Sequence, residues 1–221
     1  WNAFGSLVTG TASGQYFGRG LALNAAGDIM IVGAYGFRIS SAYFQQGAVN
    51  AYSVQGGDWV QLGGTIYGGM SSRLPVLADL NQRRNKDRFG LSVACDNLGT
   101  RIIIGAPKNN NTFRQKTGGY AKVFEYRQVT RSEWDTHNRD LYTNDSKVLI
   151  RGIYQEWSPN AYYWIQVGDA LYDSRIPSLG SSNSATNTAD YRNYFGYSVG
   201  INQDGSRVIV GAYKYGAGFS S

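Results

Sequence analysis

The chain has 221 residues, of which 42% are hydrophobic and 14% aromatic, enough for one domain with a substantial core. Its formal net charge of +6 permits an acidic partner without requiring one. A single cysteine and a single histidine exclude an intrachain disulfide, a zinc site built on thiolates and any site built from several histidines. No run of about 18 apolar residues occurs, so the sequence predicts no membrane-spanning helix.

A sequence unit recurs three times along the chain. Each copy begins with Phe-Gly, has a glycine ten residues after the phenylalanine and reaches Gly-Ala, whose glycine lies 16 residues after the phenylalanine. The copies begin at Phe17, Phe89 and Phe195. A second motif, Trp-x-x-x-Gly, begins at Trp1, Trp59 and Trp164. Identical spacing in three copies indicates an internal structural repeat.

The first copy predicts four strands in chain order. An alternating stretch after Phe-Gly leads through the turn Asn-Ala-Ala-Gly at 24–27 to a β-branched run at 29–32. A third strand is predicted at 47–52, and the fourth carries the tryptophan motif at 59–62. We expect the β-branched runs to be buried on both faces, because they lack polar alternation.

Alternation also predicts the side on which the first-strand side chains lie. Leu21 and Leu23 should face one side, and the equivalent residues of Leu23 in the other copies are Cys95 and Ile201. We expect these positions to point inward. Cys95 is therefore predicted to be an inert buried thiol that acts as a small hydrophobic residue.

Four short strands per unit, with no helical period, predict an all-β fold in which each unit is a four-stranded antiparallel blade of a β-propeller. Residues 1–221 form one propeller region with units at about 1–58, 59–163 and 164–221. About three blades are present and the third is incomplete, so we expect part of a larger propeller, or closure by association. An insertion at 127–157 should form a small packed excursion or dock against a neighbouring chain.

The repeat resembles FG-GAP repeats, the blade motif of integrin-α-like β-propellers. The second copy ends in a full Gly-Ala-Pro at Pro107, whereas Tyr35 and Tyr213 stand in place of proline in the other two. The tryptophan-led form resembles the version found in secreted and virus-encoded propellers. The resemblance implies an extracellular or surface-exposed location, on a cell or a virion, and a role in adhesion, scaffolding or ligand binding.

Many FG-GAP blades bind calcium in the turn between their first two strands. Here that turn is only 24–28, 96–100 or 202–206, and its side chains offer fewer oxygens than the six to eight that calcium requires. We therefore predict capped hairpin turns without calcium. No metal and no cofactor is predicted for the chain.

The connections at one end of the predicted blades are long, and such loops on a rigid scaffold commonly carry recognition. Tyrosine, phenylalanine and arginine in them are candidate contact residues, with packing of their own loops as the alternative. The candidates are Phe37, Arg38, Tyr43, Phe113, Arg114, Tyr191 and Arg192. Asn110 and Asn144 begin N-glycosylation sequons in predicted loops.

Two further features of the sequence are potential functional signals. The run Arg83–Arg88 is basic, but it contains Asp87 and lacks a second basic stripe with aromatic residues, so a solvated loop is favoured over a nucleic-acid site. His137 has no nucleophile or carboxylate partner fixed by sequence. No catalytic constellation emerges, and the sequence predicts that the protein is not an enzyme.

The resulting hypothesis is a non-enzymatic structural or adhesive protein-interaction module in an extracellular, cell-surface or virion-surface assembly. Its partners would be other protein chains, through self-association or a larger assembly. The alternative is a carbohydrate-binding, lectin-like propeller that recognises glycans with its loops. The loops differ in length and composition between the units, which argues against repeated sugar sites.

Overall fold

The computed structural model describes residues 4–38, 46–68, 87–108, 118–134, 157–173 and 193–213. These residues form antiparallel strands and a single helical turn at 131–134, which confirms the all-β prediction. The strands are β1 (Phe17–Leu23), β2 (Ile29–Ala34), β3 (Ala48–Gln55), β4 (Asp58–Gln61), β5 (Ile66–Tyr67), β6 (Ser92–Cys95), β7 (Arg101–Ala106), β8 (Tyr120–Gln128), β9 (Tyr162–Leu171), β10 (Phe195–Ile201) and β11 (Val208–Ala212). No described helix is long and apolar enough to cross a bilayer.

The strands form three sheets whose order follows the chain. The first sheet is β1-β2-β3-β4, with β5 also pairing with β3, the second is β6-β7-β8-β9, and the third is β10-β11. The first two sheets are therefore four-stranded meanders, as the hairpin turns and β-branched runs predict. Each of them runs from a Phe-Gly motif through the next tryptophan motif, and below a unit is counted from one Phe-Gly motif to the next. In the first unit the fourth strand is divided into β4 and β5. In the second, β9 spans both segments, because Leu171 pairs with Ala121 as Ile66 pairs with Val49.

The main core lies between the first and second sheets. Ile31 and Val49 of the first sheet are fully buried against a cluster from the second sheet that includes Ile102, Ile104 and Phe124. Burying these branched and aromatic side chains stabilises the contact by about 2 kcal/mol each. The core therefore joins two successive repeat units.

Strand β7 is buried on both faces, as predicted. Ile102 and Ile104 point to the first sheet, and strand alternation directs Ile103 to the opposite face, where β10 lies against β6 and β7. Ile103 is fully buried. The same expectation is wrong for β11, where the equivalent Ile209 is 74% exposed. No described sheet lies against that face of β11, and this explains the difference.

Glycines of the repeat allow the sheets to come close together. A Cβ atom on Gly33 would overlap the carbonyl oxygen of Gly90, and one on Gly105 would overlap that of Gly196. The backbone of the Phe-Gly motif in one unit thus lies directly against the Gly-Ala glycine of the preceding unit. This contact gives a physical reason for the fixed spacing of the two motifs.

The inward prediction for the first strands holds for the second and third sheets, where Cys95 and Ile201 are half-buried, but it is wrong for the first. Val93 is buried and Cys95 is half-buried against the main core. In contrast, Leu21 and Leu23 are 61% and 57% exposed. Val93 and Cys95 face the first sheet, whereas no described sheet lies against the equivalent face of the first sheet.

The ends of the predicted insertion pack together in a smaller cluster. Val129 is buried with Tyr163 and Ile165 of β9, and Trp134 and Trp157 pack against them. The helical turn at 131–134 begins in a capping box, in which the hydroxyl of Thr130 accepts from the backbone N–H of Glu133. The carboxylate of Glu133 accepts in return from the N–H of Thr130. Residues 135–156, with His137, lie outside the described part of the chain.

Candidate interaction surfaces

Two of the predicted contact residues are among those described. Phe37 is half-buried, and its ring centroid lies 5.3 Å from that of Tyr67, so it packs within its own unit. Arg38 is exposed at the edge of the described range. The other candidates lie outside the described residues: Tyr43, Phe113, Arg114, Tyr191 and Arg192, with the sequon residues Asn110 and Asn144.

A backbone feature identifies a different surface. Among the described residues, the non-glycine residues with positive φ are Tyr16, Arg88 and Tyr194, at 52°, 57° and 55°. Each immediately precedes the phenylalanine of a repeat unit. This conformation costs on the order of 1 kcal/mol for a residue with a side chain. Its recurrence at one position shows that the fold fixes the direction of three side chains.

In the first and third units this residue forms a tyrosine pair. Tyr16 stacks on Tyr35 with ring centroids 4.7 Å apart and planes at 6°. Tyr194 lies against Tyr213 at 4.8 Å, and Tyr213 also contacts the ring of Tyr197 at 4.6 Å. The partner in each pair is the residue that follows Gly-Ala, the position that proline occupies in the second unit.

The second unit places cations beside these pairs. The guanidinium carbon of Arg88 is 5.5 Å from the ring centroid of Tyr35, and Nζ of Lys108 is 6.0 Å from that of Tyr194. These are cation–π distances. Partial desolvation and the neighbouring tyrosines raise the pKa of Tyr213, and the charge of Arg88 acts in the opposite direction. The second unit thus places one cation beside each tyrosine pair, Arg88 beside Tyr35 and Lys108 beside Tyr194.

We call this group the tyrosine–arginine cluster, and its members are Tyr16, Tyr35, Arg88, Tyr194 and Tyr213. Tyr16 and Tyr213 are 55% and 62% exposed. Nε of Arg88 is buried and has no hydrogen-bond partner among the described residues. The cluster thus presents accessible aromatic rings next to a guanidinium group. The sequence signal for this cluster is seen when the three copies are aligned: tyrosine or arginine precedes each Phe-Gly, and tyrosine follows Gly-Ala in two of the copies.

Asp87 lies directly behind this cluster and is fully buried. Burial raises the pKa of its carboxyl group to about 7, against the lowering effects of the Tyr120 hydroxyl, which donates a hydrogen bond at 3.3 Å, and of the Lys122 charge. The equivalent residue in the third unit is Asn193, whose amide donates to Asp173 at 2.7 Å. The solvated-loop interpretation is therefore wrong for Asp87, and Arg88 is half-buried.

The short turns at the other end of the sheets are capped as predicted. Oδ1 of Asn24 accepts from the backbone N–H groups of Asp28 and Ile29 at 3.0 and 2.9 Å. Asp96 accepts both corresponding bonds in the second unit, whereas in the third unit Asn202 accepts from the N–H of Arg207 and Asp204 from that of Ser206. These side chains thus have a structural role as hairpin caps. No group of three or more potential metal ligands occurs among the described residues.

The same turns bond from sheet to sheet. The N–H of Ala25 donates to the carbonyl of Asn97 at 3.2 Å, and the N–H of Asn97 donates to that of Gln203 at 2.9 Å. The fourth strands have an analogous contact, because the indole of Trp164 donates to the carbonyl of Leu62 at 3.0 Å. Successive units are therefore joined by repeated polar bonds as well as by the core.

The two outer sheets leave apolar faces open among the described residues. The leading face is the side of the first sheet that carries Leu21 and Leu23, and the trailing face is the side of the third sheet that carries Ile209. On the second sheet the equivalent side chains are Val93, Cys95 and Ile103, which pack against neighbouring sheets. The two open faces thus carry the same kinds of apolar side chain as the faces that pack against a neighbouring sheet.

Cys95 fits an inert role. Burial raises the pKa of its thiol to about 11, and the nearby Asp96 carboxylate adds to the shift. A thiol of this kind is a poor nucleophile near neutral pH, because it stays protonated.

Comparison with known proteins adds no assignment, since neither a protein-family model nor a curated protein matches the chain.

Proposed function

We propose that this protein is a non-enzymatic structural or adhesive module, and that its three sheets are blades of an FG-GAP-like β-propeller. Its place would be an extracellular, cell-surface or virion-surface assembly. The observation that carries the proposal is the difference in burial at one repeated position. Ile31 and Ile103 are fully buried between successive sheets, whereas the equivalent Ile209 is 74% exposed.

The partner that best fits the trailing face is another blade of the same kind. Within the chain, each face of the Ile31 type packs against a face of the Val93 type. The leading face, with Leu21 and Leu23, is equivalent to the face that carries Val93. The trailing face, with Ile209, is equivalent to the face that carries Ile31. A further blade of a larger propeller, or a second copy of the chain packed head to tail, would therefore complete the trailing face. Such contacts generate rings or filaments.

Self-association tests this proposal. We expect the chain to form oligomers whose mass, measured by light scattering over a range of concentrations, falls when Ile209 is replaced by aspartate. Ile209→Asp should weaken association at least about tenfold, because it places a charge in an apolar contact. Leu98→Asp is the matched control, since Leu98 is also exposed but lies in a turn, where the third unit has Asp204. A chain that stays monomeric at every concentration contradicts the proposal.

A second candidate function is carbohydrate binding, and the tyrosine–arginine cluster favours it. The long loops differ between the units, but Tyr16 with Tyr35 and Tyr194 with Tyr213 recur at equivalent positions. Exposed tyrosine rings offer an apolar surface together with a polar hydroxyl group, a combination suited to sugars. Screening the protein against a panel of glycans tests this function independently of self-association.

A further inference from the structure

We propose that the tyrosine–arginine cluster binds a carboxylate-bearing sugar within an oligosaccharide, with Arg88 at the carboxylate and the tyrosine pairs under the flanking sugars. This inference rests on the second proposed function and adds a site and a ligand class to it. The site lies beside the Phe-Gly segments. It is separate from the apolar sheet faces through which we propose that chains associate.

The charge of the cluster selects an anionic ligand. Arg88 and Lys108 bring two cations to the tyrosine rings, and no carboxylate of the described residues lies within ion-pair distance of Arg88. Nε of Arg88 is buried and has no hydrogen-bond partner among those residues, so contact with a ligand falls to the terminal Nη groups of this half-buried side chain. A guanidinium group matches the two oxygens of a carboxylate with two parallel hydrogen bonds. The terminal Nη groups of Arg88 thus indicate the position of the anionic group.

The rings on either side select a sugar rather than a small free anion. Tyr16 and Tyr35 belong to the unit before Arg88, and Tyr194 and Tyr213 to the unit after it. Exposed tyrosine rings provide rigid contact area at low conformational cost. A ligand that spans the cluster must therefore be anionic at its centre and able to lie on aromatic rings at both ends. An oligosaccharide with one carboxylated residue between neutral sugars has this pattern.

The cluster is arranged before any ligand arrives. Positive φ fixes the backbone at Tyr16, Arg88 and Tyr194, and ring contacts hold the tyrosine side chains. Anchors that are already ordered lose little conformational entropy on binding, which favours affinity. The recurring backbone strain has a functional explanation if it serves to hold these side chains in place.

Isothermal titration of the full chain with three probes tests the inference. The probes are a hyaluronan hexasaccharide, in which uronates lie between neutral sugars, 3′-sialyllactose, whose sialate is terminal and has sugars on one side only, and neutral chitohexaose. We expect at least one acidic probe to bind with a dissociation constant below about 1 mM, and chitohexaose to bind at least about tenfold more weakly. Comparison of the two acidic probes tells which acidic sugar is preferred.

Variants assign the binding to the cluster. Arg88→Asn removes the charge with a residue that tolerates positive φ, and should weaken binding of the acidic probe at least about tenfold. Arg207→Asn removes the same charge from an exposed arginine beside β11 and should change binding less than about twofold. Tyr213→Ala should also weaken binding, whereas Tyr213→Phe keeps the ring and should bind nearly as well as the unaltered chain.

Three results would overturn the inference. Equal affinity for chitohexaose and the acidic probes, or unchanged binding by Arg88→Asn, would leave carbohydrate binding in place but remove the acidic-sugar assignment. Absence of binding to all three probes, together with a blank glycan panel, would remove the carbohydrate function as well. None of these three results bears on self-association through the sheet faces, which is measured separately by light scattering.

Discussion

At the residue scale, the position two residues before the repeated phenylalanine differs in polarity between units. It is Gln15 in the first, the buried Asp87 in the second and the buried Asn193 in the third. An amide suits this position, because Asn193 donates to Asp173 and accepts from the N–H of Phe195. Asp87 has one carboxyl oxygen without a hydrogen-bond partner among the described residues. A carboxylate there is less favourable than an amide.

Asp87→Asn should therefore stabilise the protein in a pH-dependent way. In the folded protein the pKa of Asp87 is raised to about 7, whereas in the unfolded chain it lies near the ordinary value of 3.8. The folded state binds more protons between these values, so this group's stabilising contribution is full below pH of about 4 and is lost as the pH rises through about 7. At pH of about 8 the variant should gain about 4 kcal/mol in free energy of unfolding, and near pH of about 4 almost nothing. Urea unfolding at both pH values measures the difference, and an equal change at both would rule out the titration of Asp87 as its cause.

At the element scale, the fourth strands are held to one another by the tryptophan motif. The indole N–H of Trp164 donates to Leu62, and Gly63 leaves room for the indole ring. Trp59 is placed in the same way next to Gly5 and makes an edge contact with Phe4 at 6.0 Å. The motif was recognisable in the sequence, but its partner was not, because Leu62 and Trp164 are 102 residues apart.

Trp164→Phe should measure this strand contact. The substitution removes one hydrogen bond to a backbone carbonyl and part of the packed ring, so we expect a loss of about 2 kcal/mol in the free energy of unfolding. Trp59→Phe is the matched control, since Trp59 occupies the equivalent position and its indole makes no hydrogen bond among the described residues. It should cost about 1 kcal/mol less. Denaturant unfolding of the two variants side by side provides the comparison, and equal losses would contradict a role for the indole bond.

At the scale of the whole molecule, the three sheets are held together by one repeated set of contacts. The set consists of the buried isoleucine, the glycine that meets the next Phe-Gly backbone, and the turn that bonds to the next turn. Because the same set joins the first sheet to the second and the second to the third, stability depends on the contacts between units. Among the described residues this set is incomplete at the leading face of the first sheet and at the trailing face of the third.

Alanine substitutions of the Gly-Ala glycines should differ in their cost to stability, depending on whether a neighbouring sheet lies against the glycine. Gly105→Ala should cost about 3 kcal/mol in free energy of unfolding, because its methyl group would overlap the backbone of Gly196. Gly211→Ala should cost less than about 1 kcal/mol, since the only close neighbour is the movable hydroxyl of Ser198. Thermal unfolding of the dilute chain checks both values. If a second copy packs on the trailing face, Gly211→Ala should also weaken association, whereas an unchanged oligomer mass would speak against that packing.

The local chemistry of the sequence determined the all-β class, the strands and the hairpin caps, because alternation, β-branched runs and Asn or Asp with Gly act over a few residues. It also indicated the repeat, since Phe17, Phe89 and Phe195 head units of equal spacing. Only the tertiary structure decided that Ile103 is buried and Ile209 is not, that the pKa of Asp87 is raised, and that Arg88 lies over Tyr35 and Lys108 over Tyr194. Each of these depends on which sheet or side chain lies opposite, and such neighbours come from distant parts of the chain.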